Sequence, residues 1–218
     1  HTDSSAASDV YKRQSRGIPG LRRAVSAYYS RRFNVDIDPE KEAIVTLGSK
    51  EGLANLAQAM TSPGDVLLVP NPSYPIHPFG AIIAGASLRH MPVSDGHDFM
   101  AELERAVQHS VPKPAGLIIC YPSNPTVKVV DLDFYGQVID FCRYHDIWVI
   151  SDLAYAEIYF GDEPPPSILQ VPGAKDIAVE FTSLSKTYSM PGWRIGFCCG
   201  NPLLIEALAR VKSYLDYG

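Results

Sequence analysis

Apolar residues recur along this chain in two patterns. Short all-apolar runs, VLLV at 66–69, GLIIC at 116–120 and IWVI at 147–150, read as strands covered on both faces. Runs at 177–181 and 195–199 have the same character, with shorter or weaker ones at 43–47 and 87–91. Between them, apolar positions return at helical spacing. GIPGLRRAVSAYYSRR, 17–32, presents Leu21, Val25 and Tyr28 or Tyr29 on one face. Further helices are predicted over LANLAQAM, 99–107, 132–145 and 203–214, and 81–86 reads as part of another. Pro63-Gly64-Asp65 marks a turn. Strands alternating with helices specify an α/β fold, a mainly parallel sheet with helices on both faces. No repeat, low-complexity tract or linker interrupts 15–218, which reads as one domain. The first fourteen residues, HTDSSAASDVYKRQ, are polar and without period, and are expected to be a non-native, adapter-like tail.

Charge and cysteine usage narrow the function classes. A net charge of −5 argues against a nucleic-acid or anionic-membrane partner. No apolar run approaches the length of a bilayer span, and the N-terminus has no apolar signal core. Arg22-Arg23 and Arg31-Arg32 are expected to lie on a solvated helix face. Cys120, Cys142, Cys198 and Cys199 form no C-x-x-C pair, and fit buried, reduced thiols of a cytoplasmic protein. The six histidines show no metal-ligand spacing, so no metal site is expected.

In a sheet of this kind, ligands gather at the carboxyl ends of the strands. Asn124, Asp152 and the stretch from Ser183 to Lys186 all follow buried runs. Lys186 lies among small hydroxyl residues in SLSKTYSMPGWRIGF, a setting in which an amine can become the nucleophile toward an aldehyde. Ser183, Ser185 and Arg194 supply donors for a phosphate dianion. Taken alone, Asp152 is equally an N-cap before LAYAEI, and Asn124 an Asn-Pro turn.

The pattern S-x-S-K-x-x-x-x-x-G-x-R-x-G resembles the signature of class I and II aminotransferases of fold type I. The resemblance implies pyridoxal 5′-phosphate as cofactor, bound covalently as a Schiff base by Lys186, which also serves as general base, with Ser183, Ser185 and Arg194 on its phosphate. SDLAYAEI resembles the D-x-x-Y element, which implies Asp152 facing the pyridine nitrogen and Tyr155 on the ring O3′. YPSNPT resembles the N-P-[TH] element, which implies that Asn124 donates to O3′; Val127 stands where the family often has glycine. GSKEG opens a helix and implies backbone contacts from Ser49, Lys50 and Glu51 to the phosphate. In NPSYP, Tyr74 matches the aromatic that stacks on the ring.

RGIPGLRRAVSAYYSRRF, IVTLGSKEGLANL, VPNPSYPIHPFGAIIAGA and SILQVPGAKDIAVEF together resemble the bacterial alanine (glutamate–pyruvate) transaminase branch. That implies amino-group exchange between L-alanine or L-glutamate and 2-oxo acids, in a cytoplasmic homodimer. It also implies the three-layer α/β/α large domain of this fold, without the C-terminal small domain. Family members run to roughly twice this length, which places the substrate-carboxylate arginine beyond Gly218 and an N-terminal arm before Ser15. A truncated, poorly active chain is therefore expected. LL-diaminopimelate or aspartate aminotransferase, and a same-fold carbon–sulfur lyase or decarboxylase, are the enzymatic alternatives. An aminotransferase-like ligand-sensing domain of a transcription regulator is the non-enzymatic one, although nothing in 1–40 reads as a winged helix. An unrelated nucleotide-binding protein would need a glycine-rich first loop, and GSKEG is not one.

Overall fold

The computed structural model describes residues 15–215; the expected tail, 1–14, lies outside the described residues. Helix α1 (Pro19–Phe33) leads to strand β1 (Ala43–Thr46) and α2 (Ser49–Met60). There follow β2 (Val66–Asn71), α3 (Ile76–Ile83), β3 (Ser87–Pro92), α4 (Phe99–Gln108) and β4 (Pro114–Cys120). The chain continues through α5 (Leu132–Tyr144), β5 (Trp148–Asp152), β6 (Ala178–Ser183), the short α6 (Leu184–Thr187), β7 (Gly196–Gly200) and α7 (Pro202–Leu215).

The strands form one seven-stranded sheet in the order β1-β7-β6-β5-β4-β2-β3. It is parallel except for β7, which runs against both β6 and β1. The period-2 pleat divides each buried run between two cores. Leu68, Leu117, Ile119 and Val149 face α1, α4 and α5, packing on Tyr29, Leu103 and Tyr135. Leu67, Val69, Ile118 and Ile150 face the other way, onto Leu53 and Leu56 of α2 and Leu204 and Leu208 of α7. Helix layers on both faces make the three-layer α/β/α sandwich expected from the alternation. Asp98 and Asp131 fix the starts of α4 and α5 by accepting from Ala101 N and Phe134 N.

Two expectations are corrected. The helix read at 81–86 runs from Ile76 to Ile83 instead, and the chain turns through Gly85 at φ 84°. Pro75 and Pro78 disguise its start in the sequence, but both fall at its first turn, where no intrahelical N–H is needed. The arginine pairs do not lie wholly on a solvated face. Arg22 is 2% exposed, and its guanidinium donates to the carbonyls of Gly17 and Pro39 and pairs with Glu40. Arg32 is largely covered and pairs with Glu157 at 2.9 Å. The four cysteines are buried and free, as expected. Among the described residues, no helix is long and apolar enough to cross a membrane.

Candidate active site

The sheet order explains why distant residues meet. The parallel strands β4, β5 and β6 end at Cys120, Asp152 and Ser183 on one edge. The reversed β7 starts at that same edge, where Gly196 pairs with both Ser183 and Thr46. Arg194, just before β7, and the Gly48–Lys50 turn, just after β1, are thereby brought beside Ser183.

A cavity of about 120 Å³ opens there, lined by Ser49, Lys50, Tyr74, Cys120, Asn124, Asp152, Ala154, Tyr155, Ser183, Ser185, Lys186 and Arg194. Ten of the eleven residues singled out from the sequence therefore line one space. Glu51 stands apart: its carboxylate accepts from Leu47 N at 2.8 Å and pairs with Lys212 Nζ at 3.1 Å, so its side chain braces the turn from behind.

One end of the cavity is built to grip an anion. The N-terminus of α2 offers backbone N–H groups, and Arg194 lies across the Gly48 turn. A Cβ on Gly48, whose φ is 77°, would stand 2.5 Å from Arg194 Nη2. A Cβ on Gly196 would stand 2.6 Å from Ser49 N. Both glycines are thus required by close approach. Arg194 Nη1 donates to Pro191 O at 3.3 Å and toward Ser185 Oγ at 3.5 Å, and the Ser183 hydroxyl accepts from Ser185 N.

The other end holds a buried carboxylate. Asp152 is 4% exposed; its Oδ1 accepts from Ala154 N at 3.2 Å and its Oδ2 lies 2.9 Å from His77 Nε2. His77 is itself buried and makes an edge-on ring contact with Tyr74. The sequence reading missed His77. Its only signal is its place on α3, three residues after Tyr74, which lets one helical turn present both groups.

His77, Cys120 and Asp152 bring their ligand-type atoms within 4.8 Å of one another. Burial pushes the Cys120 thiol up, with the neighbouring Asp152 charge adding to it, so the protonated sulfur is a poor metal ligand. The group reads as a hydrogen-bonded carboxylate beside a thiol.

Between the two ends stand Lys186, Tyr155 and Asn124. The Lys186 amine lies 5.8 Å from the Tyr155 ring centroid, and Asn124 Nδ2 points at Tyr155 Oη from 3.4 Å. Lys50 Nζ lies 5.7 Å from the Tyr74 ring centroid. A second, larger cavity of about 1270 Å³ shares Asn124 and Tyr155 as a common wall and is otherwise rich in apolar groups such as Ile158, Phe160 and Pro164.

Comparison with known proteins adds a family. Residues 11–215 match the model of aminotransferase class I and II. The chain is 64% identical over 204 residues to the putative aminotransferase AatC of Rhizobium meliloti (strain 1021), covering 94% of this chain and 50% of that protein. It is 58% identical over 204 residues to the glutamate-pyruvate aminotransferase AlaC of Escherichia coli (strain K12), with the same coverage. An LL-diaminopimelate aminotransferase of Aquifex aeolicus (strain VF5) is 48% identical over 199 residues, 91% of this chain and 51% of that protein. Among solved structures, substrate-bound BacF from Bacillus subtilis superposes with a TM-score of 0.86 at 37% identity, covering 93% of this chain and 51% of BacF. The chain spans about half the length of the curated relatives it matches.

Proposed function

The chain belongs to the class I and II aminotransferases, and on that premise we propose that it carries the cofactor site of a pyridoxal-phosphate-dependent transaminase exchanging amino groups between L-alanine or L-glutamate and 2-oxo acids. The observation that carries this reading is the single cavity joining the Lys186 amine, the buried Asp152 carboxylate and the Arg194–Ser183–Ser49 anion grip. Members of this family use pyridoxal phosphate, and the donor set fits that group. A dianion meets a guanidinium, serine hydroxyls and a helix N-terminus at one end. A ring nitrogen meets a carboxylate at the other. The two glycines leave the anion end free of Cβ atoms.

When bound, the cofactor supplies an electron sink for the carbanion left when an amino acid loses its α-proton. The chain's own residues make that possible. Asp152, fixed by His77 and Ala154 N, would face the ring nitrogen and favour its protonated form. Asn124 and Tyr155 present an amide and a phenol side by side as donors to a ring oxygen. Lys186 Nζ would take up the substrate's α-proton, the role of a general base on a flexible stem. Tyr74, on the cavity wall, would offer an aromatic face to the ring. Cytoplasmic location and a homodimer belong to the same reading, the first supported by four buried, unpaired thiols.

The alanine/glutamate preference is supported by the 58% identity to AlaC. The LL-diaminopimelate relatives favour a second donor. A panel of amino donors with 2-oxoglutarate and pyruvate separates them: fastest turnover with L-alanine and L-glutamate is expected, and fastest turnover with LL-diaminopimelate reassigns the substrate. Ammonia release in place of amino-group exchange identifies lyase chemistry. Cofactor attachment is tested by borohydride reduction in the presence of pyridoxal phosphate, followed by peptide mass mapping. The added mass is expected on Lys186 and absent from Lys186→Ala; label distributed over surface lysines refutes the site.

A further inference from the structure

Glu180 is fully buried in the middle of β6, among the apolar residues of AVEFTS. An unpartnered carboxylate in such a place is strongly disfavoured, so what holds it reveals its role. Four donors converge on it. Ser151 Oγ donates to Oε2 at 3.1 Å and Ile168 N to the same oxygen at 3.1 Å. Ser167 Oγ donates to Oε1 at 2.5 Å and Tyr29 Oη, from α1, at 3.0 Å.

These donors are not scattered along the chain. Ser151 immediately precedes Asp152. Ser167 and Ile168 begin the 3₁₀ turn that ends the irregular segment after β5. One carboxylate therefore ties both ends of the segment 153–166, which carries Tyr155 and walls the larger cavity with Ile158 and Phe160. The middle of the segment is tied separately to α1: Glu157 accepts from Tyr28 Oη at 2.7 Å and from Arg32 Nε at 2.9 Å, and Arg32 also reaches Pro165 O.

We propose that Glu180 is a positioning residue, a buried clamp that fixes both ends of the 153–166 segment and so sets where Tyr155 stands relative to Asp152. The clamp as a loop-holding device stands on geometry alone; its effect on cofactor and turnover rests on the proposed function. The hydrogen bonds also explain why a carboxylate occupies a sheet core. No apolar side chain can accept from two serine hydroxyls, a backbone N–H and a phenol at once. From the neighbouring elements, Tyr135 of α5 and Cys199 of β7 also face the carboxylate.

The test compares Glu180→Leu, which removes all four acceptor contacts, with Glu180→Gln, which keeps an acceptor for Ser151 and Ile168, and Ser167→Ala, which opens one end only. Amide hydrogen exchange of 153–166, measured without cofactor, is expected to accelerate in Glu180→Leu and Ser167→Ala and to be largely restored in Glu180→Gln. With pyridoxal phosphate bound, both opened variants are expected to retain the label on Lys186, lose roughly tenfold in kcat with KM little changed, and shift the pH midpoint of the cofactor's visible band. Should Glu180→Leu fail to fold, Ser167→Ala decides. Unchanged exchange in the segment and an unchanged band midpoint, with only lowered global stability, would overturn the clamp. Failure of the wild-type protein to take label on Lys186 sinks the cofactor reading instead, and the exchange comparison then still decides the clamp.

Discussion

His77 Nε2 stands 2.9 Å from Asp152 Oδ2, with both side chains buried. The pair joins α3 to the end of β5 and leaves the Asp152 carboxylate a fixed direction. Replacing His77 by Phe keeps a flat ring at the position and removes the partner, so Oδ2 is left buried without its hydrogen bond. A loss of about 1–3 kcal/mol is expected in urea denaturation. Pyridoxal phosphate affinity, measured by fluorescence titration, is expected to fall as well. Unchanged stability and affinity would show that the pair contributes nothing.

Gly48→Ala places a Cβ against Arg194 Nη2 at a residue held at φ 77°. The turn must strain or the guanidinium must leave. Weaker binding of pyridoxal phosphate is expected, by tenfold or so if one charge-assisted contact is lost. Binding of pyridoxal, which lacks the phosphate, should change far less. Equal weakening of both ligands would place the fault elsewhere.

Lys212 is fully buried on α7 and holds Glu51, which in turn accepts from Leu47 N below the anion grip. Lys212→Met removes the charge while keeping the stem. The expected result is a loss of about 1–3 kcal/mol in stability together with poorer phosphate binding. Isothermal titration against thermal unfolding separates the two effects. Because Glu51 is not at the cavity wall, retained stability with lost binding would contradict the bracing role.

Burial raises the Glu180 carboxyl from 4.5 to about 7, its hydrogen bonds from Ser167, Ile168 N, Tyr29 and Ser151 opposing the rise. The folded chain therefore holds this proton more tightly than the unfolded chain does. Between about pH 4.5 and pH 7 the native state binds more protons, so rising pH favours unfolding. The contribution is complete below 4.5 and lost as pH passes 7, and amounts to a few kcal/mol at about 1.4 kcal/mol per pKa unit. Urea midpoints across this range are expected to fall less steeply with pH in Glu180→Gln. Parallel pH profiles for the two proteins would rule the carboxyl out as the source.

Much of this was legible in the sequence because its cause is local. GLIIC and IWVI could only be buried strands, and the residues that end them had to lie on the ligand edge of the sheet. Lys186, Asp152 and Arg194 carried recognisable spacing and chemistry. What was hidden depends on contacts between distant segments. Arg22 reads as a surface charge until the carbonyls of Gly17 and Pro39 are seen to close around it. His77 has no motif of its own, and its value comes from a strand 75 residues away. Glu180 reads as a lone acid in an apolar run, since nothing in the local text announces that two serines and a tyrosine will meet it. The start of α3 was obscured by prolines that propensity counts against a helix, although at a first turn they are tolerated.

The reversed β7 also dictates an order of assembly. Thr46 pairs with Gly196, so the two halves of the anion grip come from segments far apart in sequence. The Gly48 turn precedes Arg194 in synthesis, and the two come together only when β1 pairs with β7. Closing so long a stretch is slow relative to local helix formation. A ligand bound between the Gly48 turn and Arg194 would therefore act as a latch between β1 and β7.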